Sequence, residues 1–223
     1  MTPGPVSIYE CPNCKSFLKR GSILSGNTFG AISYSDGRRI ASMLPDFPVI
    51  TICSECENIF WIKNAEKVGE IFRRGIFEGA DDECKNEDWL KAPWIKFLTT
   101  DEYFRVLDYK LYSDSDIEEE RYIRLNIWWG FNDRIRENIN LQFFRSEEEK
   151  IRWKANVKRL LNILDDNDTN DRLMKAELFR NLGFFTLCLD TLNEIEDENV
   201  NWVKTAMERE CEKSNMYVVE ISG

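Results

Sequence analysis

Two different spacings of hydrophobic positions divide the chain. Over residues 1–62 apolar residues come in short runs broken by turn formers. Ser16 to Leu24 is closed by Ser25-Gly26-Asn27, and Thr28 to Tyr34 by Ser35-Asp36-Gly37. Both clusters contain residues that tolerate the positive φ of tight hairpins. Pro45 and Pro48 precede the β-branched run Val49-Ile50-Thr51-Ile52, and Ile59-Phe60-Trp61-Ile62 follows, so this part predicts short strands. A short helix is expected over 64–73, with Val68, Ile71 and Phe72 on one face. The polar, acidic stretch 78–92 then predicts a boundary between regions 1–77 and 78–223.

Beyond that boundary the period becomes helical. From about Ile117 to Ile139, Ile123, Ile127, Phe131 and Ile135 form one stripe and Tyr122, Leu125 and Trp129 a second, which predicts a helix packed between neighbours. Trp128 and Trp129 are therefore read as core residues rather than a stacking platform. The acidic run Asp114 to Glu120 suits the N-terminal end of that helix. Ser146 and Glu149 have the spacing of a capping box, and Trp153, Val157, Leu160, Leu161 and Leu164 continue at helical spacing. Leu173, Ala176, Phe179 and Leu182 lead to Gly183, a natural helix terminator, and Phe185, Cys188, Leu189, Leu192 and Ile195 make the next helix. Asn199 is placed to cap a last helix carrying Val200, Val203, Ala206 and Met207. The expected fold class is α+β: a small antiparallel β region followed by antiparallel helix pairs.

Ala176 to Ile195 resembles the centre of a tetratricopeptide repeat. Leu182-Gly183 and Phe185 match the turn between its paired helices, and Cys188, Leu192 and Ile195 match the small and apolar positions of its second helix. Arg172 and Lys175-Ala176 stand at the repeat's usual Trp and Leu-Gly positions, and no second clean copy is visible. The resemblance implies a TPR-like hairpin near 172–197 rather than an array, since about three units are needed to close such a core.

Charge and composition narrow the functions. Residues 1–75 carry nine Lys/Arg and seven Asp/Glu, whereas 76–223 carry 21 and 33, so the second part would repel a polyanion. There is no histidine. That excludes Ser-His and Cys-His nucleophiles and imidazole ligands, and no other catalytic constellation stands out, so no enzymatic activity is expected. The opening residues lack a basic start followed by an apolar run, and no stretch approaches the roughly 20 apolar residues of a membrane span. A cytoplasmic protein is expected, in which seven cysteines serve as thiols or metal ligands rather than disulfides.

Four of these cysteines form two CxxC turns, Cys11/Cys14 and Cys53/Cys56, with 38 residues between them. Each turn lets two sulfurs approach one ion at the Zn–S distance of about 2.3 Å, and without histidine a four-thiolate site is the full option. The two knuckles with their flanking strands resemble a zinc ribbon, with Cys11, Cys14, Cys53 and Cys56 matching its ligands; Lys15 and Glu57 stand where ribbons often have Gly. Structural Zn²⁺ is the expected occupant. Iron bound by the same thiolates is an alternative, and a redox CxxC is disfavoured because two are present at strand ends. The arrangement also resembles uncharacterised bacterial zinc-ribbon proteins with helical tails. Cys84, Cys188 and Cys211 are read as unreactive. Asp166 to Glu177 carries oxygen ligands at EF-hand spacing, but Asp171 occupies the glycine position, so a polar interhelical turn is preferred.

Two functions compete: a zinc-binding adaptor for an unidentified protein partner, and a nucleic-acid-associated ribbon using Lys15, Lys19, Arg20, Arg38 and Arg39. The acidic body makes nucleic acid the less favoured partner.

Overall fold

A computed structural model describes residues 1–72, 86–113, 115–137 and 142–221. The fold is α+β, and the chain divides into two compact units: Met1–Gly30 with Ala41–Thr99, and Ala31–Ile40 with Thr100–Gly223. The boundary expected at 77/78 lies outside the described residues, as do Cys84, Asp114 and Ile139.

The strands in chain order are β1 (Thr2–Pro3), β2 (Val6–Glu10), β3 (Phe17–Arg20), β4 (Ile23–Ser25), β5 (Ile32–Tyr34), β6 (Arg39–Ile40), β7 (Ile50–Ile52), β8 (Ile59–Trp61), β9 (Glu66–Ile71) and, near the C-terminus, β10 (Glu220–Ile221). The described helices are α1 (Glu87–Lys91), α2 (Thr100–Asp108), α3 (Ile117–Glu137), α4 (Glu147–Ile163), α5 (Thr169–Asn181), α6 (Phe185–Asn193) and α7 (Asn201–Glu212).

In the first unit β2 is the centre of an antiparallel sheet ordered β3-β2-β9, and β7 pairs with β8. The helix expected over 64–73 is instead β9. Three apolar positions at helical spacing are too few to discriminate, Gly69 is a poor helix former, and pairing with the free edge of β2 decides the backbone. A Cβ at Gly69 would lie 2.2 Å from the Trp89 ring, so the glycine admits α1 onto the sheet. Asn86 caps α1, accepting from the N–H groups of Asp88 and Trp89. The segment after α1 runs beside β3, with Lys19 N–H donating to Pro93 O and Ile95 N–H to Lys19 O, both at 2.8 Å.

Of the two predicted turns, Ser35-Asp36-Gly37 closes a true hairpin, β5–β6, with Gly37 at φ +77°. Ser25-Gly26-Asn27 does not, because β4 pairs with β1 rather than β5. The β5–β6 hairpin belongs to the second unit, where β10 extends it to a sheet ordered β10-β5-β6.

The helical unit follows most of its predicted periods, but the second stripe of α3 is not enclosed: Tyr122, Leu125 and Trp129 are only half-buried, so Trp129, unlike Trp128, is not the core residue expected. Ile123, Ile127, Trp128 and Phe131 of α3 are buried, and the Trp128 indole donates to Asn181 Oδ1 at 2.8 Å. Ser146 caps α4 through Glu149 N–H, while the Glu149 carboxylate reaches back to Arg145 N–H at 2.7 Å and grips Arg134 with both oxygens. Helices α5 and α6 meet at Gly183, φ +80°, where Phe184 N–H donates to Phe179 O and Gly183 N–H to Arg180 O, the paired bonds of a Schellman ending. Asn199 is not a cap: Asp197 caps the 3₁₀ turn Glu198–Val200 and accepts from Asn199, and α7 follows directly. Leu173, Ala176, Cys188, Leu192, Val203, Met207 and Ile221 share one core.

A polar network is buried inside this unit. Arg180 and Glu177 are fully enclosed; the guanidinium donates to both Glu177 oxygens, to Ser35 Oγ and to the carbonyls of Asn215 and Tyr217. Ser35 Oγ donates to Glu177 at 2.8 Å and accepts Val219 N–H. Burial alone would lower the Arg180 pKa, but the charge and hydrogen bonds of Glu177 outweigh it and raise it. Asp36, also fully buried, accepts from Asn132 at 2.7 Å and pairs with Arg136.

Candidate metal centre

Each CxxC caps one hairpin. Glu10 is paired with Phe17 at the base of the first, and Ile52 with Ile59 at the base of the second, leaving equal loops at 11–16 and 53–58. The internal bonding repeats. Cys11 N–H donates to Ser16 O and Lys15 N–H to Cys11 O; Cys53 N–H donates to Asn58 O and Glu57 N–H to Cys53 O, at 2.9–3.0 Å. Lys15 and Glu57, which directly follow the second cysteine of each pair, have φ +63° and +55°. A left-handed residue after the second cysteine turns the chain back into its strand, at a cost of about 1 kcal/mol for any side chain but glycine.

The hairpins bring Cys11, Cys14, Cys53 and Cys56 together, every Sγ within 4.8 Å of the others. Across the knuckles, Cys11 and Cys56 lie 3.7 Å apart and Cys14 and Cys53 3.6 Å apart. Four sulfurs placed tetrahedrally about 2.3 Å from one ion would be about 3.8 Å apart, so the cluster is metal-sized. A disulfide, with sulfurs about 2.05 Å apart, is not what these separations describe. The group can hold one metal ion through four protein ligands. Such a shell leaves no coordination position for water or substrate, which gives it a structural rather than catalytic chemistry.

Burial is uneven. Cys11 and Cys53 are enclosed with Leu18, Phe60 and Ile62, so the ligands form part of this unit's small core, whereas Cys14 is exposed. Ser16, which the motif did not signal, puts its hydroxyl 3.2 Å from both Cys14 Sγ and Cys53 Sγ. That hydroxyl, with the Ser16 N–H, lowers the Cys14 pKa to about 6. Burial would raise Cys53, but Ser16 and the N–H groups of Cys56 and Glu55 outweigh it and lower that thiol too. Cys11 is pushed up to about 12 by burial, opposed by the N–H groups of Cys14 and Asn13. A metal cation held among them would supply the charge that lets all four be thiolates. The only sequence hint of Ser16 was a hydroxyl two residues after a knuckle cysteine.

The other candidates separate from this site. Cys188 and Cys211 are buried in the helical core, where burial raises both thiols. From Thr169 onward the EF-hand-like stretch is helix, with Asp168 as its N-cap, Asp171 bound to Arg121 and to Asp165 N–H, and Glu177 held by Arg180. Of the five basic residues considered for nucleic acid, Lys15, Lys19 and Arg20 lie in the metal unit, and Lys19 and Arg20 rest on the rings of Trp94 and Phe47. Arg38 and Arg39 belong to the other unit, where Arg38 pairs with Asp133. No described helix is long and apolar enough to cross a membrane.

No family model, no curated protein and no solved structure matches this chain.

Proposed function

We propose that this protein is a non-catalytic zinc-binding adaptor: a zinc-ribbon-like head built around Cys11, Cys14, Cys53 and Cys56, joined to a TPR-like helical body that meets a protein partner. The clustering of four sulfurs at two matching hairpin tips carries the zinc reading. Zinc is favoured over iron because it accepts a closed tetrahedral thiolate shell with no redox role. Two large apolar side chains at the α5–α6 junction, Phe184 and Leu187, are about half exposed at 53% and 47%, which supports a contact role for the body. The nucleic-acid reading has less behind it, since the metal unit carries ten Lys/Arg against twelve Asp/Glu and three of its basic side chains, Lys19, Arg20 and Lys63, rest on aromatic rings.

The test is metal analysis of protein purified without added zinc, followed by chelation. About one zinc per chain, and loss of β structure and of the head's folding transition on chelation, are expected. Iron with visible thiolate absorption, substoichiometric metal, or a head that stays folded without metal would count against the proposal.

A further inference from the structure

The helical unit contains a cavity of about 430 Å³ between the β5–β6 hairpin, α3, the first turns of α5 and the start of α7. That volume lies in the usual range for small-molecule sites. Its walls are mainly apolar and aromatic, with Tyr34, Trp129 and Trp202 beside Leu173 and Met174. Its two charged lining residues, Arg39 and Arg121, are both cationic, and no carboxylate lines it. This is unexpected for the surrounding charge, since the unit carries 20 Lys/Arg against 28 Asp/Glu.

The walls are held in place by groups behind them. The Trp129 indole donates to Asp36 O at 3.1 Å, and the Arg38 guanidinium lies 5.7 Å from its ring centre. Arg136 sits 4.6 Å from the Tyr34 ring. Arg121 is oriented by the buried carboxylate of Asp171, which takes its Nη2. Arg39 differs from these. It is exposed, and its guanidinium has no hydrogen-bond or ion-pair partner among the described residues. An aromatic cleft with an unpaired guanidinium and a second, oriented one suits a ligand that is flat and apolar at one end and anionic at the other.

We propose that this cavity binds a small organic anion, an aromatic or conjugated carboxylate or phosphate monoester, its body on the aromatic walls and its anionic group on Arg39 and Arg121. The proposal goes beyond the zinc-adaptor reading and does not depend on it.

The full chain would be titrated by calorimetry and ligand-observed NMR with 2-naphthoate, 2-naphthyl phosphate, neutral 2-naphthalenemethanol, cationic 2-naphthylmethylamine and inorganic phosphate alone. At least one naphthyl anion should bind with a Kd on the order of 100 µM. It should bind about tenfold or more tighter than the alcohol, the amine and free phosphate. Whichever anion binds tighter identifies the head group. Arg39→Ala should keep the wild-type melting curve and weaken anion binding about tenfold while leaving the alcohol unchanged. Met174→Trp, which fills the cavity, should abolish binding in a chain whose circular dichroism stays native. Equal binding of anion and alcohol, tighter binding of the amine, phosphate alone matching the naphthyl phosphate, unchanged anion affinity in Arg39→Ala, or no binding by any probe up to millimolar concentration would each overturn the proposal.

Discussion

Replacing Arg180 by Met keeps roughly the side-chain volume and removes a fully buried charge. In the native protein that guanidinium satisfies both Glu177 oxygens and the carbonyls of Asn215 and Tyr217. The variant leaves Glu177 with only Ser35 and Asn181 as donors, inside a protein interior. Orphaning one member of a buried ion pair costs about 3–5 kcal/mol, and each weakened carbonyl adds about 1 kcal/mol at most. A loss of about 5 kcal/mol is therefore expected, equivalent to roughly 10–20 °C in Tm. Glu177→Met/Arg180→Met should be about 2 kcal/mol or more less damaging than the two single changes summed, because it removes the stranded charge. Urea unfolding at neutral pH, followed by far-ultraviolet circular dichroism, reads the helical unit in all four proteins of the cycle. A cost under about 1 kcal/mol for Arg180→Met, or strict additivity, would refute the reasoning that this network holds the β5–β6 hairpin and the C-terminal strand in the helical unit.

Glu120 joins α3 to α4. Hydrogen bonds from Arg159, supported by Arg124 and opposed by burial, lower its pKa to about 2. A folded pKa below the unfolded one stabilises the protein above about pH 4.5, and the gain disappears as pH falls through about 2, so Glu120→Gln should cost about 1–2 kcal/mol at pH 7 and almost nothing near pH 2, once screening at half-exposed Arg159 is allowed for. Denaturant titrations of both proteins at the two pH values check this. At Lys15 and Glu57, glycine should be close to neutral, because relief of the left-handed backbone offsets the added freedom of the unfolded chain; Val at either position should weaken the proposed zinc binding about tenfold in a competition with a chromophoric chelator. Gly69→Val should displace Trp89 from the β3-β2-β9 sheet and cost about 2 kcal/mol, read as a lowered Tm with an altered tryptophan emission maximum.

The four-cysteine group was legible from spacing alone, because two sulfurs separated by two residues converge wherever the chain turns tightly. The amphipathic helices were legible for a similar reason: their apolar stripes span enough turns to distinguish a helical period from alternation, as Trp153, Val157 and Leu160 do. Gly183 ended α5 as its lack of a side chain predicts.

What local pattern could not carry was partner choice. Residues 66–71 became a strand because β2 offered an unpaired edge, and β4 turned to β1 instead of β5, decisions made by strands distant in sequence. The burial of Ser35 and Asp36 against Arg180, Asn132 and Arg136 joins residues about a hundred or more positions apart, and nothing in a turn sequence announces that its hydroxyl and carboxylate will be enclosed by helices. Ser16 belongs to the same class: its place beside Cys53 exists only once the two hairpins meet. Composition and periodicity therefore determined the kinds of element and the chemistry available. Tertiary packing decided which elements pair, which polar groups lose water and must find partners, and where a cavity lined by cations opens in an acidic body.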